Sequence, residues 1–199
     1  MSATTPAAHA QKPDVFRFTI ERYHQMIAEG ILNEYDDVEL IEGVIRSKMS
    51  KGDEHETVIE LLTPVLVRAL PAAVCLRCQC ALVLPDSEPE PDFAICTPAR
   101  SRGGKNPTPT DTFVVMEVSD TTLAYDRIDK GRMYAAVGVA VYWVVNVVDR
   151  QIEVYTDPVS PAGGAPHYRT RTIYSPSDQV PLLVAGTQVG TVAVVDVLP

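Results

Sequence analysis

From Asp53 to Leu70 the chain reads "DEHETVIELLTPVLVRAL", with apolar Val58, Leu61, Leu62, Val65, Leu66 and Leu70 recurring at three- and four-residue steps. That spacing stripes one face of a helix, and Pro64 is its candidate kink. A shorter amphipathic helix is expected over residues 19–29, "TIERYHQMIAE", with Thr19 as cap and Gly30 as stop. Between these two helices "VELIEGVIRSKMS" alternates about Gly43, as two strands joined by a tight turn do. "AVCLRCQCALVL", "PDFAIC" and "FVVMEVS" read as strands, and a further helix is expected over roughly 126–137. "AVYWVVNVV" and "QIEVYT" follow as two strands with Asp149 and Arg150 placed for a hairpin turn. Residues 97–111, "TPARSRGGKNPTPTD", form a long loop of the kind that often carries function, "SPAGGAP" is a flexible loop, and the tail from Tyr168 supplies further short strands. Helices alternating with strands predict a mixed α/β domain, a central sheet with helices against it, over 18–199. The polar start, 1–17, reads as a disordered leader.

Composition changes this picture in two places. The chain has 199 residues and a formal net charge of -9, so no global attraction draws it to nucleic acid or to an anionic membrane. Any nucleic-acid partner is met through a local basic patch or bound cations. No stretch reaches the ~18 apolar residues of a membrane helix, and the first residues lack a secretory pattern, so a cytoplasmic protein without a membrane partner is expected. Cys75, Cys78, Cys80 and Cys96 are then thiols. Three of them sit in "VCLRCQCALVL", which also reads as a strand with Cys78 and Cys80 on one face. One cluster without turn residues or a second pair favours buried inert thiols over zinc.

The candidate chemistry is carboxylate chemistry. Glu117 interrupts the apolar run "FVVMEVS", and Asp92 opens "PDFAIC". If the two strands are neighbours, the carboxylates converge, and a divalent cation between them relieves their repulsion. The plainer alternative makes Asp92 a turn residue after proline and puts Glu117 at a solvated sheet end. Asp126 and Lys130 have helical i,i+4 spacing, which suits a surface ion pair, or a lysine reaching back to Glu117. Glu39 in "VELIEG" either completes a metal shell or faces solvent, and His55 is a base, a ligand or a structural cap.

"VELIEG", "EHETVIELL", "EPDFAI", "VVMEVSDTT", "YDRIDKGRMYAAVGVAVYWVVN" and "IEVYT" occur here in an order that resembles the Uma-two family of endonucleases, within the PD-(D/E)xK superfamily. The resemblance covers residues 18 to 157 and, weakly, the tail. It implies a restriction-endonuclease-like fold, a central mixed sheet flanked by helices. It implies Asp92 and Glu117 as paired metal ligands. The superfamily lysine normally follows the glutamate by two positions, where this chain has Ser119; Lys130 on the next helix resembles a relocated replacement. Glu39 and His55 match weaker family positions. The chain departs from the family pattern at Ser119-Asp120-Thr121, at Val141 and at Asn146.

The resemblance leads to an expected activity: metal-dependent endonuclease cleavage of DNA, with Asp92, Glu117 and the Val118 carbonyl holding Mg²⁺ or Mn²⁺. Lys130 is then expected to orient the attacking water, with Glu39 and His55 as further catalytic candidates. Arg100, Arg102, Lys105, Arg127 and Arg132 are candidates for phosphate contacts or ordinary surface charge. A homodimer is expected, because two sites cut both strands of a duplex. The alternatives are an inactive relative serving as a binding or assembly module, and a metal-dependent hydrolase with a substrate other than nucleic acid.

Overall fold

The computed structural model describes residues 15–33 and 35–198. The expected leader lies outside them except for its last three residues. Six strands form one sheet in the order β3 (Cys75–Cys78), β4 (Phe93–Cys96), β5 (Thr112–Ser119), β6 (Val141–Asn146), β7 (Gln151–Val159), β8 (His167–Tyr174). All neighbours are antiparallel except β5 and β6. A parallel pair needs a crossover, and here it is helical. α3 (Leu123–Tyr125), a π turn (Asp126–Lys130) and α4 (Gly131–Ala136) run on from one another as a single arm. The expected helix over 126–137 therefore starts earlier and contains a π turn.

The central strands β4, β5 and β6 are buried on both faces, and the strand period decides which residue meets which layer. Val114, Met116 and Val118 of β5 point with Trp143 and Val145 of β6 toward Val58, Leu62 and Leu66 of α2 (Asp53–Ala69). The hairpin β9 (Gln179–Val184) with β10 (Thr187–Ala193), and the short α5 (Val194–Val197), close that layer. Val115 points the other way, with Tyr142 and Val144, onto Met133 and Tyr134 of the arm. Glu117 has the same parity as Val115 and so faces the arm.

At the N-terminal side, α1 (Ile20–Ala28) is capped by Thr19, whose side chain accepts the Arg22 N–H at 3.3 Å. β1 (Val38–Ile41) and β2 (Val44–Ser47) form a separate two-stranded sheet. Their turn puts Glu42 and Gly43 at φ 48° and 74°, the left-handed pair that matches strand twist. A Cβ on Gly43 would come within 2.8 Å of the Arg17 Cβ, so packing also excludes a side chain there.

Two expectations need correction. "AVCLRCQCALVL" is a strand only over Cys75–Cys78. Gln79 takes φ 49°, a left-handed residue that ends the strand, so Cys78 and Cys80 do not share a strand face. Nor are the thiols uniformly buried: Cys96 is, Cys78 is exposed, and Cys75 and Cys80 lie between. The loop over 97–111 is more regular than expected, with 3₁₀ turns at Ala99–Arg102 and Pro109–Asp111. Among the described residues no helix is long and apolar enough to cross a membrane.

Glu153 of β7 is wholly buried yet fully served. Arg127, Arg171, Asn146, Gln151 and Tyr155 all donate to it or pair with it. Arg127 comes from the π turn, so this carboxylate ties the arm to the sheet. Burial alone would raise its pKa, but Arg127, Tyr155, Asn146 and Arg171 outweigh that and bring it down to about 2. A depressed carboxylate stabilises the fold above its unfolded pKa near 4.5 and loses that contribution as pH falls through its folded value. Glu153→Gln is therefore expected to cost about 3 kcal/mol at neutral pH. Urea unfolding of both proteins from pH 7 downward should show that difference start to shrink near pH 4.5 and approach zero near pH 2.

Candidate active site at the end of strand β5

β4 and β5 are neighbours with Phe93 opposite Met116. One step further along, Asp92 and Glu117 reach the same end of the sheet. β4 has ended there, so its ladder no longer covers the Val118 N–H. The Asp92 side chain takes over and accepts that N–H through Oδ2 at 2.8 Å. In a strand the N–H and C=O of one residue leave on the same side, so the Val118 carbonyl is turned toward the Asp92 edge. The other Asp92 oxygen lies 3.0 Å from Nε2 of His55, in the first turn of α2. His55 Nδ1 is buried and has no hydrogen-bond partner among the described residues. Burial would raise the Asp92 carboxyl, but His55, the Val118 N–H and Lys130 outweigh it and hold the group below the usual range.

Glu117 is 2% exposed. Its Oε1 lies 2.9 Å from the Lys130 ammonium and accepts the Tyr134 hydroxyl at 2.8 Å. Both partners come from the arm, at helical spacing along one face. Lys130 also lies 3.7 Å from Oδ1 of Asp126. Asp126 is fixed by the Ser119 hydroxyl at 2.8 Å and by the Thr122 hydroxyl. Burial works against the Lys130 charge, yet Glu117, Asp126 and Glu39 outweigh it and hold the amine above the ordinary lysine range. Burial pushes the Glu117 carboxyl up against the pull of that ammonium. Glu117 and Asp126 stand within ion-pair reach of the amine and Glu39 adds to the same negative field, so Lys130 keeps its proton.

Asp92, Glu117, Val118, Lys130, Glu39 and His55 all line one cleft. Glu39 enters from β1, where its carboxylate accepts the Glu90 N–H at 3.4 Å. The cleft carries six carboxylates, Glu39, Glu90, Asp92, Glu117, Asp120 and Asp126, against the lysines Lys48, Lys51 and Lys130. Lys48 is paired with Glu90 at 2.8 Å, and Lys51 is exposed at the mouth. The expected phosphate contacts lie elsewhere. Arg127 pairs with Glu153 and Arg132 with Glu42, while Arg102 donates to the Thr97 and Lys105 carbonyls. None of these, nor Arg100 or Lys105, lines the cleft. Sequence reading passed over Tyr134, Ser119 and Thr122 as site residues. Tyr134 was visible four positions after Lys130, whereas the two hydroxyls carry no sequence signal of their own.

Among the described residues no three His, Cys, Asp or Glu side chains are grouped as a metal cage. The donors expected from the sequence, among the six carboxylates of the cleft, are those of Asp92 and Glu117 with the Val118 carbonyl. Such a small hard-oxygen set suits an ion that keeps most of its water, as Mg²⁺ does, and Mn²⁺ shares its preference for oxygen. Each carboxylate also has lone pairs beyond those its protein partners use. The residues therefore fit Mg²⁺ or Mn²⁺ and fit poorly a metal that needs an all-protein cage.

The sequence model of the Uma2 family, described as "Putative restriction endonuclease", matches residues 20–193. No curated protein matches the chain. Among solved structures the fold is similar to a crystal structure of "a putative nuclease belonging to DUF820 from Anabaena variabilis ATCC 29413". The TM-score is 0.65 at 12% identity, over 91% of this chain and 97% of that one.

The geometry separates the fold role of Asp92 from its charge. Asp92→Ala strips the partners from a buried N–H and a buried imidazole, and is expected to cost about 2–4 kcal/mol. Asp92→Asn keeps an acceptor for Val118 and is expected to stay within about 1 kcal/mol of wild type. Urea midpoints for the two variants check this. A low-charge variant that keeps the fold is the one suited to functional tests.

Proposed function

Since the chain belongs to the Uma2 family, whose name points to a nuclease, we propose that it is a metal-dependent endonuclease that hydrolyses phosphodiester bonds in DNA. The observation that carries this reading is the meeting of Asp92, Glu117 and Lys130 in one cleft, from two neighbouring strands and the crossover arm. Asp92, Glu117 and the Val118 carbonyl would hold Mg²⁺ or Mn²⁺. The ion supplies Lewis acidity toward a phosphate oxygen and lowers the pKa of a bound water. The chain's own residues do the rest. His55 and the Val118 N–H fix the plane of the Asp92 carboxylate. Tyr134 fixes that of Glu117. Lys130 places a buried positive charge where charge builds up on the phosphate, in a site with little water to screen it. Lys51, exposed where it lines the cleft, would meet a flanking phosphate.

One observation favours a second reading. The cleft is acidic, and its buried ammonium is already engaged by Glu117 and Asp126. A non-catalytic relative that keeps the fold for binding, or a hydrolase acting on a less charged substrate, fits that balance too.

Cleavage of plasmid and single-stranded DNA with Mg²⁺, with Mn²⁺ and with chelator separates the readings. The wild type is expected to nick DNA only with metal, and Glu117→Gln and Asp92→Asn are each expected to lose at least about a hundredfold. Metal-independent nicking, or full activity in both variants, overturns the assignment. Metal binding without cleavage of either DNA points to the other substrate, and DNA binding without metal binding points to the binding module.

A further inference from the structure

We propose that Lys130 is an internal counter-ion with two positions, on Glu117 while the cleft holds no divalent ion and on Asp126 once one is bound. This rests on the reading of Asp92 and Glu117 as metal ligands, and goes beyond it by naming what the ion displaces.

Among the described residues, Lys130 is the one basic side chain within ion-pair distance of Glu117. The carboxylate is buried, so without that ammonium it would carry an uncompensated charge. A dication arriving at Glu117 takes over the neutralisation. An ammonium left at 2.9 Å from the same carboxylate would then face the dication across a few ångströms of poorly screened space. Lys130 has somewhere to go. Oδ1 of Asp126 already lies 3.7 Å from its nitrogen, inside ion-pair reach though beyond hydrogen-bond distance. The ammonium keeps its charge in both positions and never loses a carboxylate partner.

Asp126 is built to receive it. Its Oδ2 is taken by the Ser119 and Thr122 hydroxyls, which leaves Oδ1 facing the lysine. Its backbone carbonyl accepts the Tyr142 hydroxyl at 3.0 Å, so the residue is fixed at both ends. Lysine suits a moving counter-ion, being a compact charge on a flexible four-carbon stem. Asp126 is thus a positioning residue that acts through Lys130, and the lysine sets the metal affinity of the cleft by competing for Glu117.

Calorimetric titration of Mn²⁺ into the full chain tests this in a double-mutant cycle. Lys130→Met removes the competitor and is expected to bind Mn²⁺ about tenfold more tightly than wild type; Asp126→Asn removes the second position and is expected to bind about tenfold more weakly. In the double variant the Asp126→Asn penalty is expected to vanish, because no ammonium remains to be received. Lys130→Gln keeps a hydrogen-bond donor for Glu117 without the charge, and should repeat the gain if Lys130→Met does not fold. Equal or weaker binding in the folded lysine variants overturns the proposal while leaving the metal site standing. An Asp126→Asn penalty of the same size in both backgrounds overturns it too, since Asp126 would then act only through its own charge. No Mn²⁺ bound by wild type or by either lysine variant removes the metal reading itself.

Discussion

The contact between Glu117 and Lys130 holds the arrangement of this molecule together. A carboxylate placed in a strand buried on both faces is tolerated only where an opposite charge and a hydrogen bond meet it. The crossover arm supplies both, as the Lys130 ammonium and the Tyr134 hydroxyl. That requirement ties three levels together. The strand period turns Glu117 away from α2 and toward the arm. The parallel pairing of β5 with β6 makes a crossover necessary, and here the arm carries it over that same face. The π turn then sets Asp126 and Lys130 at its two ends, both within reach of the end of β5. π turns inside helices occur frequently at functional sites.

Charge balance sets an order of events for any anionic substrate. The chain carries a net charge of -9, and six carboxylates outnumber three lysines in the cleft. A phosphodiester approaching the empty cleft meets a negative field. A divalent cation meets an attractive one, and once bound it would offset most of that negative field. On the proposed nuclease reading, this balance would order metal first and phosphate second. It also explains why the arginines that looked available in the sequence are not: Arg127 and Arg132 are spent on Glu153 and Glu42.

What could be read from the chain was what local pattern controls. The stripe Val58, Leu62, Leu66 gave α2, the alternation about Gly43 gave the β1–β2 turn, and the two apolar runs around Asp92 and Glu117 are the neighbouring strands β4 and β5. Where reading stopped short, a single backbone angle or a distant partner decided the outcome. Gln79 ends β3 by adopting a left-handed conformation that glutamine does not advertise. The π turn looks in sequence like any helix, because one wider turn leaves the apolar spacing nearly intact. Glu153 appears as an ordinary polar position in "QIEVYT", and the Arg127 that buries it lies 26 positions earlier. The separate β1–β2 and β9–β10 sheets could not be told from central strands, since alternation reports a buried face and not which sheet owns it.

The two buried glutamates show how the same residue type serves opposite ends. Glu153 is bound by two arginines, whose forked guanidinium groups fit a carboxylate with little motion left over, and by three neutral donors besides. Five partners hold that one carboxylate, and Arg127 among them comes from the arm, so Glu153 is a joint between the arm and the sheet. Glu117 is met by a lysine and a single phenol, and a second carboxylate stands beside that lysine. Its charge is compensated by a group that has an alternative partner within reach. The joint at Glu153 keeps the arm still, and because the arm is still, the lysine on it can change partners without the fold changing with it.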